Sequence, residues 1–303
     1  MSMPIDIPQY PQARFLQRED KPLFDRLLEA ADPEISEYTF TNLYSWRESY
    51  GFGVSVFKDR LVPIASISGT QCIFPALGES LTKEDIFDLL SRGAKLIRAP
   101  DRLAQIVSGD ARFIVTLDRD NCDYVYKVDQ LQALKGAKYD GKRNLIKNFK
   151  NHYRYEYVAI SEPSTIEECV RFEESWCVFK DCDHVEGLDK ERDALSQMLN
   201  NFFEFGLVGG VIKVDARVCA VTIAERLNRH TLVLHIAKAD SALTGLYQLM
   251  MQEFLTREAG GYTFVNMEQD LGVEGLRKAK LSYHPDRLIN KYTIALAGGN
   301  AQV

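Results

Sequence analysis

The strongest constraint on the fold lies in the last third of the chain, where the hydrophobic period switches between strand and helix in a fixed order. Leu207 to Val214, Val218 to Glu225 and His230 to Ala237 read as strands, the first two linked at Asp215-Ala216. Thr244 to Ala259 reads as a helix, closed by Gly260-Gly261 in the manner of a C-cap. Tyr262 to Glu268 returns to a strand. Val273 to Leu281 is a helix ended by Pro285, and Leu288 to Leu296 is a final strand. The order is β-β-β-α-β-α-β, an antiparallel meander followed by a βαβ crossover. It belongs to an α+β (mixed α/β) domain.

The first part allows a similar unit. Lys21 to Ala30 and Thr41 to Ser49 read as amphipathic helices, the second capped by Thr41 or Asn42. Phe52 to Phe57, Leu61 to Ser66, Gln71 to Pro75, Leu96 to Ala99, Arg112 to Leu117 and Asp123 to Val128 have strand length. Thr82 caps a helix through Ser91 with Glu84 and Asp85 in its first turn. Tyr139 to Asn151 is a helix, Tyr153 to Ile160 a strand, and helices follow Ser164-Thr165 and span Lys190 to Phe205. A chain of 303 residues has room for two domains of about 150 residues each. The expected division is 1–155 and 156–303. No repeat is visible in the sequence itself.

Several function classes drop out. No window approaches the ~18 apolar residues that span a bilayer, so no transmembrane segment is expected. The start, MSMPIDIPQYPQ, lacks the basic and apolar stretches of a signal peptide, which points to a cytoplasmic protein with free thiols. Cys177, Cys182 and His184 lie close in sequence, but the paired spacing of a zinc site is missing and no metal is expected. G-x-S-x-G, H-E-x-x-H and Walker runs are absent. The net charge of −6 argues against a general nucleic-acid binder. Yet Lys135 to Arg154 carries seven Lys or Arg against one acid, Asp140. That segment reads as a solvated helix face or as a landing site for an anion such as a phosphate chain. Nothing in the sequence bears on oligomeric state.

Alternation puts Phe264, Asn266 and Glu268 on one strand face, with Asp270 if the strand runs that far. Asn266 and Glu268 are costly to bury unpaired, so they join an ion-pair network or face a polar cleft. Arg277 and Lys280 are neighbours on one face of the next helix. His235 sits mid-strand, as a satisfied core residue or a functional one. Glu225 ends the preceding strand, and desolvation there would suit a general base. From Lys238 the loop KADSALTG runs through Thr244 and Gly245 into a helix N-terminus at Leu246. Such an end suits phosphate, although the loop has one glycine.

Two stretches resemble a known family. They are GAKYDGKRNLIKNF (Gly136 to Phe149), with its Lys142-Arg143-Asn144 core, and NMEQDLGVEGLRKAKLSYHP (Asn266 to Pro285). Both resemble signatures of the family that includes the soluble C-terminal domain of phosphatidylglycerol lysyltransferase. Asn42-Leu43-Tyr44 with Trp46 adds a third match. The resemblance implies a tandem GNAT fold (acyl-CoA N-acyltransferase-like), two mixed sheets flanked by helices, akin to the Fem aminoacyltransferases. The GNAT domain at 156–303 would carry the active site.

It further implies transfer of an acyl or aminoacyl group from acyl-CoA or aminoacyl-tRNA to an amine or hydroxyl. The acceptor would be a small molecule or a lipid headgroup, the tRNA acceptor end a partner, and no cofactor would be tightly bound. Under that reading the base is Glu225, Glu268 or Asp270. Backbone N–H groups from His235 through Ala237 to Lys238 stabilise the oxyanion. Arg277, Lys280, Lys142 and Arg143 hold donor phosphates, and Tyr283 protonates the leaving group or is structural. The alternative is a non-catalytic GNAT-like module that binds a ligand or partner.

Overall fold

The computed structural model describes residues 6–67, 69–180, 184 and 187–298. In chain order the first elements are β1 (Arg14–Phe15), α1 (Lys21–Ala31), α2 (Phe40–Ser45), α3 (Arg47–Tyr50), β2 (Gly53–Phe57), β3 (Arg60–Ile67), β4 (Thr70–Ile73), α4 (Lys83–Leu90), β5 (Lys95–Pro100), α5 (Asp101–Val107) and β6 (Phe113–Leu117). Then follow β7 (Asp123–Lys127), α6 (Val128–Ala133), α7 (Asp140–His152), β8 (Tyr155–Ala159), α8 (Pro163–Lys180), α9 (Leu188–Asn200), β9 (Val208–Val214), β10 (Arg217–Arg226), β11 (Thr231–Ala239), α10 (Leu246–Glu258), β12 (Phe264–Asn266), α11 (Glu274–Leu281), β13 (Arg287–Ile289) and β14 (Lys291–Leu296).

These form two compact units whose chain segments differ from the expected halves 1–155 and 156–303. Unit 1 holds the chain to Asp123, Gln269–Leu276 and the residues from Leu288 on. Unit 2 holds Tyr124–Glu268 and Arg277–Arg287. The expected last strand, Leu288 to Leu296, is in fact two strands in two sheets, switching at Asn290. Alternation marks a strand but not its partner, so the sequence could not show this.

In unit 1 the strand order is β1-β2-β3-β4-β5-β14-β6. The meander β2–β3–β4 is antiparallel, β4–β5 is parallel, and β14 lies antiparallel between β5 and β6. One face of the sheet buries Val62, Ile73, Leu96 and Ile294 against α4 and α5 through Ile86, Leu89 and Leu103. The α4 start is as expected. Thr82 Oγ1 accepts from the Asp85 N–H, and Asp85 reaches back to the Thr82 N–H. The cap of α2, by contrast, is Thr39, whose hydroxyl accepts from the Asn42 N–H; Thr41 is buried within the helix.

In unit 2 the order is β13-β7-β12-β11-β10-β9-β8. Strands β8 to β11 are antiparallel, β11–β12 is parallel and β12–β7 antiparallel. Helix α10 buries Leu249, Met250, Phe254 and Leu255. It is the crossover helix expected between the third and fourth strands. Cys72, Cys122, Cys169 and Cys219 are buried free thiols. Cys177 is disulfide-bonded, a departure from the all-thiol expectation. Cys182, the middle residue of the considered metal trio, lies outside the described residues.

Candidate active site

Two irregularities in the unit 2 sheet create a polar centre. The β10–β11 register slips between Ile223 and Ala224, whose partners are Ile236 and Leu234, leaving His235 as the extra residue of a β-bulge. The parallel β11–β12 ladder ends at the Val233–Asn266 pair, although β11 continues to Ala239. Past that point the two strands part. Strand β12 is shorter than the expected Tyr262 to Glu268 because the chain turns. The Asn266 Oδ1, fully buried, accepts the Glu268 N–H at 2.8 Å, and Glu268 takes a left-handed φ of 57°. A non-glycine residue held there costs roughly 1–2 kcal/mol, which the surrounding structure must offset.

At the parting lie Glu225, His235 and Glu268. His235 Nδ1 is 2.8 Å from Glu268 Oε1, and Nε2 is 2.8 Å from Glu225 Oε1. The imidazole is 1% exposed, but the Glu225 and Glu268 side chains are 11% and 20% exposed. Burial alone would lower the imidazole pKa. Hydrogen bonds to both carboxylates and their charges outweigh it and push it up to about 10, so the ring is an imidazolium at neutral pH. Both carboxylates meet the one buried ring, and of the two Glu268 is the more exposed. Ring and carboxylates are in direct contact, with no space for an ion between them.

The remaining expected site residues divide sharply. Lys280 Nζ donates to the Met267 carbonyl at 2.6 Å, next to Glu268. Arg277 is half-buried on the same helix, α11. Asp270 belongs to unit 1, where its buried carboxylate accepts from Arg119 at 3.1 Å and from the Gly272 N–H at 2.9 Å. The strand that would have aligned it with Glu268 ends at Asn266. Tyr283 is buried, its phenol pKa is raised by that burial, and the Lys142 ammonium sits 4.1 Å above its ring. Lys142 also donates to Ser282 Oγ at 2.7 Å, and its pKa is lowered by burial. Arg143 donates to the Leu134 and Gly136 carbonyls and pairs with Asp140, closing the end of α6. Asn144 is exposed on α7.

Lys238 is buried between Glu173 and Glu191, 2.7 Å from each, with the Trp176 ring 4.1 Å from its ammonium. Sequence reasoning missed these three partners; the only available signal was an opposite charge on distant helices. Beside them a cavity of about 500 Å³ opens among Phe172, Trp176, Arg217, Cys219, Asp240 and Ser241. The loop that follows is already hydrogen-bonded to itself. The Ala242 N–H donates to Asp240 Oδ1, the Leu243 N–H to the Asp240 carbonyl and the Leu246 N–H to the Leu243 carbonyl. Thr244 is exposed. Gly245 has φ 92°, and a Cβ there would lie 2.3 Å from the Leu145 carbonyl oxygen, so α7 closes on the start of α10.

Each unit pairs an antiparallel meander with a mixed sheet flanked by helices, and this is the tandem GNAT fold. A protein named FemX shares it with a TM-score of 0.58 at 7% identity, over 93% of this chain and 96% of that one. Residues 29–295 match the family described as phosphatidylglycerol lysyltransferase, C-terminal, and the chain belongs to that family. A conserved protein of unknown function from Bacteroides thetaiotaomicron is 33% identical, with a TM-score of 0.86 over 94% of this chain and 99% of its own. The C-terminal domain of a candidate lysylphosphatidylglycerol synthetase from Agrobacterium fabrum is 15% identical. Its TM-score is 0.64, over 94% of this chain and 98% of its own. No curated protein matched.

Proposed function

We propose that this chain transfers an aminoacyl or acyl group from an activated donor to an amine or hydroxyl, with chemistry at the Glu225–Glu268 pair of unit 2. The observation that carries this reading is the convergence of two accessible carboxylates on one buried imidazole where β11 and β12 part. The acceptor loses its proton to one carboxylate as its nitrogen or oxygen bonds to the acyl carbon. The bond to the donor's leaving oxygen or sulfur then breaks. Backbone N–H groups of β11 beyond Val233 that face away from β10 would be the oxyanion donors under this reading.

Between the two donors, aminoacyl-tRNA is better supported than acyl-CoA. At the start of α10 the Ala242, Leu243 and Leu246 amides are taken by Asp240 and Leu243, which leaves a CoA pyrophosphate fewer donors there. Exposed Lys135, Lys138, Lys147 and Arg154 offer cations for tRNA phosphates instead. The family's name, a lysyltransferase, agrees with an aminoacyl donor. Among the described residues no helix is long and apolar enough to cross a membrane, and we assign the acceptor only as an amine or hydroxyl carrier, whether a small molecule or a lipid headgroup. The same occupied loop favours, as a second reading, a GNAT-like module that binds without turnover.

The test is a transfer assay with charged tRNAs and acyl-CoAs against amine and hydroxyl acceptors. Wild-type turnover with a charged tRNA, reduced about 100-fold or more by Glu268→Gln, is the expected result. Binding of tRNA should weaken with salt, and reversing Lys138, Lys147 and Arg154 to Glu should abolish it. Turnover with acyl-CoA alone would refute the choice of donor.

A further inference from the structure

We propose that His235 is the positioning residue of this site: a buried cation that clamps Glu225 and Glu268 across the parting strands and fixes the direction in which each carboxylate meets substrate. The inference rests on the transfer reading and adds a role for the residue between the two carboxylates.

Four independent features of the backbone and side chains converge on this role. The bulge in β11 inserts one residue, and that residue is His235. Bulges re-aim a side chain that a regular strand would hold in register. The ladder between β11 and β12 stops two residues earlier, so no backbone hydrogen bonds of that ladder tie the strand ends together there. The imidazole bridges the gap instead, reaching β10 through Glu225 and the β12 exit through Glu268, at 2.8 Å on both sides. Finally, Glu268 is held in its left-handed conformation by the buried Asn266 amide and by its own carbonyl, which accepts from the Tyr124 N–H at 3.1 Å. A strained backbone fixed from two sides, carrying a carboxylate fixed from a third, is a preorganised group.

The charge balance fits. The charged groups in contact with the ring are Glu225 from β10 and Glu268 from the β12 exit, and Lys280 from α11 holds the adjacent Met267 carbonyl. A doubly protonated ring donates to both carboxylates at once and keeps both as acceptors. A neutral ring could donate to only one and would leave the other facing a lone pair. The clamp therefore works only as a cation, which agrees with the raised pKa of the ring. Since the ring is 1% exposed while both carboxylates keep accessible surface, the imidazole does not itself touch substrate. It acts through its two partners.

The experiment has two arms on the full chain. In the first, NMR of the histidine ring nitrogens follows His235 without substrate. Both nitrogens should stay protonated through neutral pH and above, and Glu225→Gln and Glu268→Gln should each bring deprotonation to lower pH. A neutral ring at neutral pH, or a shift caused by only one of the two substitutions, would overturn the clamp. In the second, His235→Gln is compared with wild type in the transfer assay, after its melting curve and NMR fingerprint establish that it is folded. The expected result is a fall in kcat of about 100-fold with donor KM changed less than about 3-fold. Wild type should lose rate as pH rises through the ring's deprotonation, and the variant should not. An active wild type with an unimpaired His235→Gln sinks the positioning role and leaves the transfer reading intact. A wild type inert with every donor sinks the transfer reading and the role with it, whereas the protonation arm still reports on the clamp. If His235→Gln does not fold, His235→Asn serves the second arm.

Discussion

Each unit buries a cation between two carboxylates, Lys291 in unit 1 and His235 in unit 2, and these two clusters have opposite designs. In unit 1, Lys291 of β14 is fully buried, 2.6 Å from both Glu37 and Asp123. Every acid there is matched further. Arg98 and Gln269 donate to Glu37, and Asp123 accepts from the Ser36 N–H and hydroxyl. In unit 2, His235 is equally buried, but the Glu268 side chain is 20% exposed, against 11% for Glu225. The first cluster is closed by these partners, whereas the second reaches the surface at Glu268. Burial and charge pairing alone do not mark a functional site; what sets the His235 cluster apart is its place where β11 and β12 part.

This contrast can be broken in several places. The largest effect is expected from Lys291→Ala, which strands two buried carboxylates and should cost about 3–5 kcal/mol in urea unfolding. Glu225→Gln or Glu268→Gln removes a partner that water can partly replace. Each should cost about 1.5–3 kcal/mol by the same measurement while stopping transfer. If these two cost as much as Lys291→Ala, the clusters do not differ as described.

Their pH limits should also be opposite. Burial would raise the Glu37 carboxyl, but Lys291 and Arg98 hold it below its usual value of 4.5. Its stabilisation is present above that value and lost as pH falls through the depressed one. His235 rises from 6.5 to about 10, so its stabilisation is full below 6.5 and lost as pH climbs through about 10. Melting curves should therefore show an acid limb weakened by Glu37→Gln and an alkaline limb weakened by His235→Gln, each substitution sparing the other limb. The smallest effect is within unit 1. Thr82→Ala removes the α4 cap and a hydrogen-bond partner of Asp85, and should cost about 1 kcal/mol while leaving the alkaline limb in place.

Much of unit 2 was legible in the sequence because its elements are made by local rules. The three meander strands and α10 lie within two residues or so of where periodicity and Gly260-Gly261 put them. Glu225, Glu268 and His235 were each visible as polar residues in apolar strands. Their meeting was not, since His235 finds its partners 10 and 33 residues away. Other features were hidden because they depend on distant contacts. Asp270 is claimed by Arg119, 151 positions back. Lys142 and Arg143 look like anion ligands from their spacing, yet serve Ser282, Tyr283 and the end of α6. The occupied amides after Lys238 depend on where the Asp240 carboxylate turns, which no periodicity encodes.

The path of the chain has a consequence for how unit 1 is completed. Strand β14, the last among the described residues, lies between β5 and β6 and brings with it the lysine that pairs with Glu37 and Asp123. Without β14 the facing edges of β5 and β6 lack their partner, and Glu37 and Asp123 lack their buried ammonium. The sheet of unit 1 is thus completed by a six-residue strand that follows all of unit 2 in the chain.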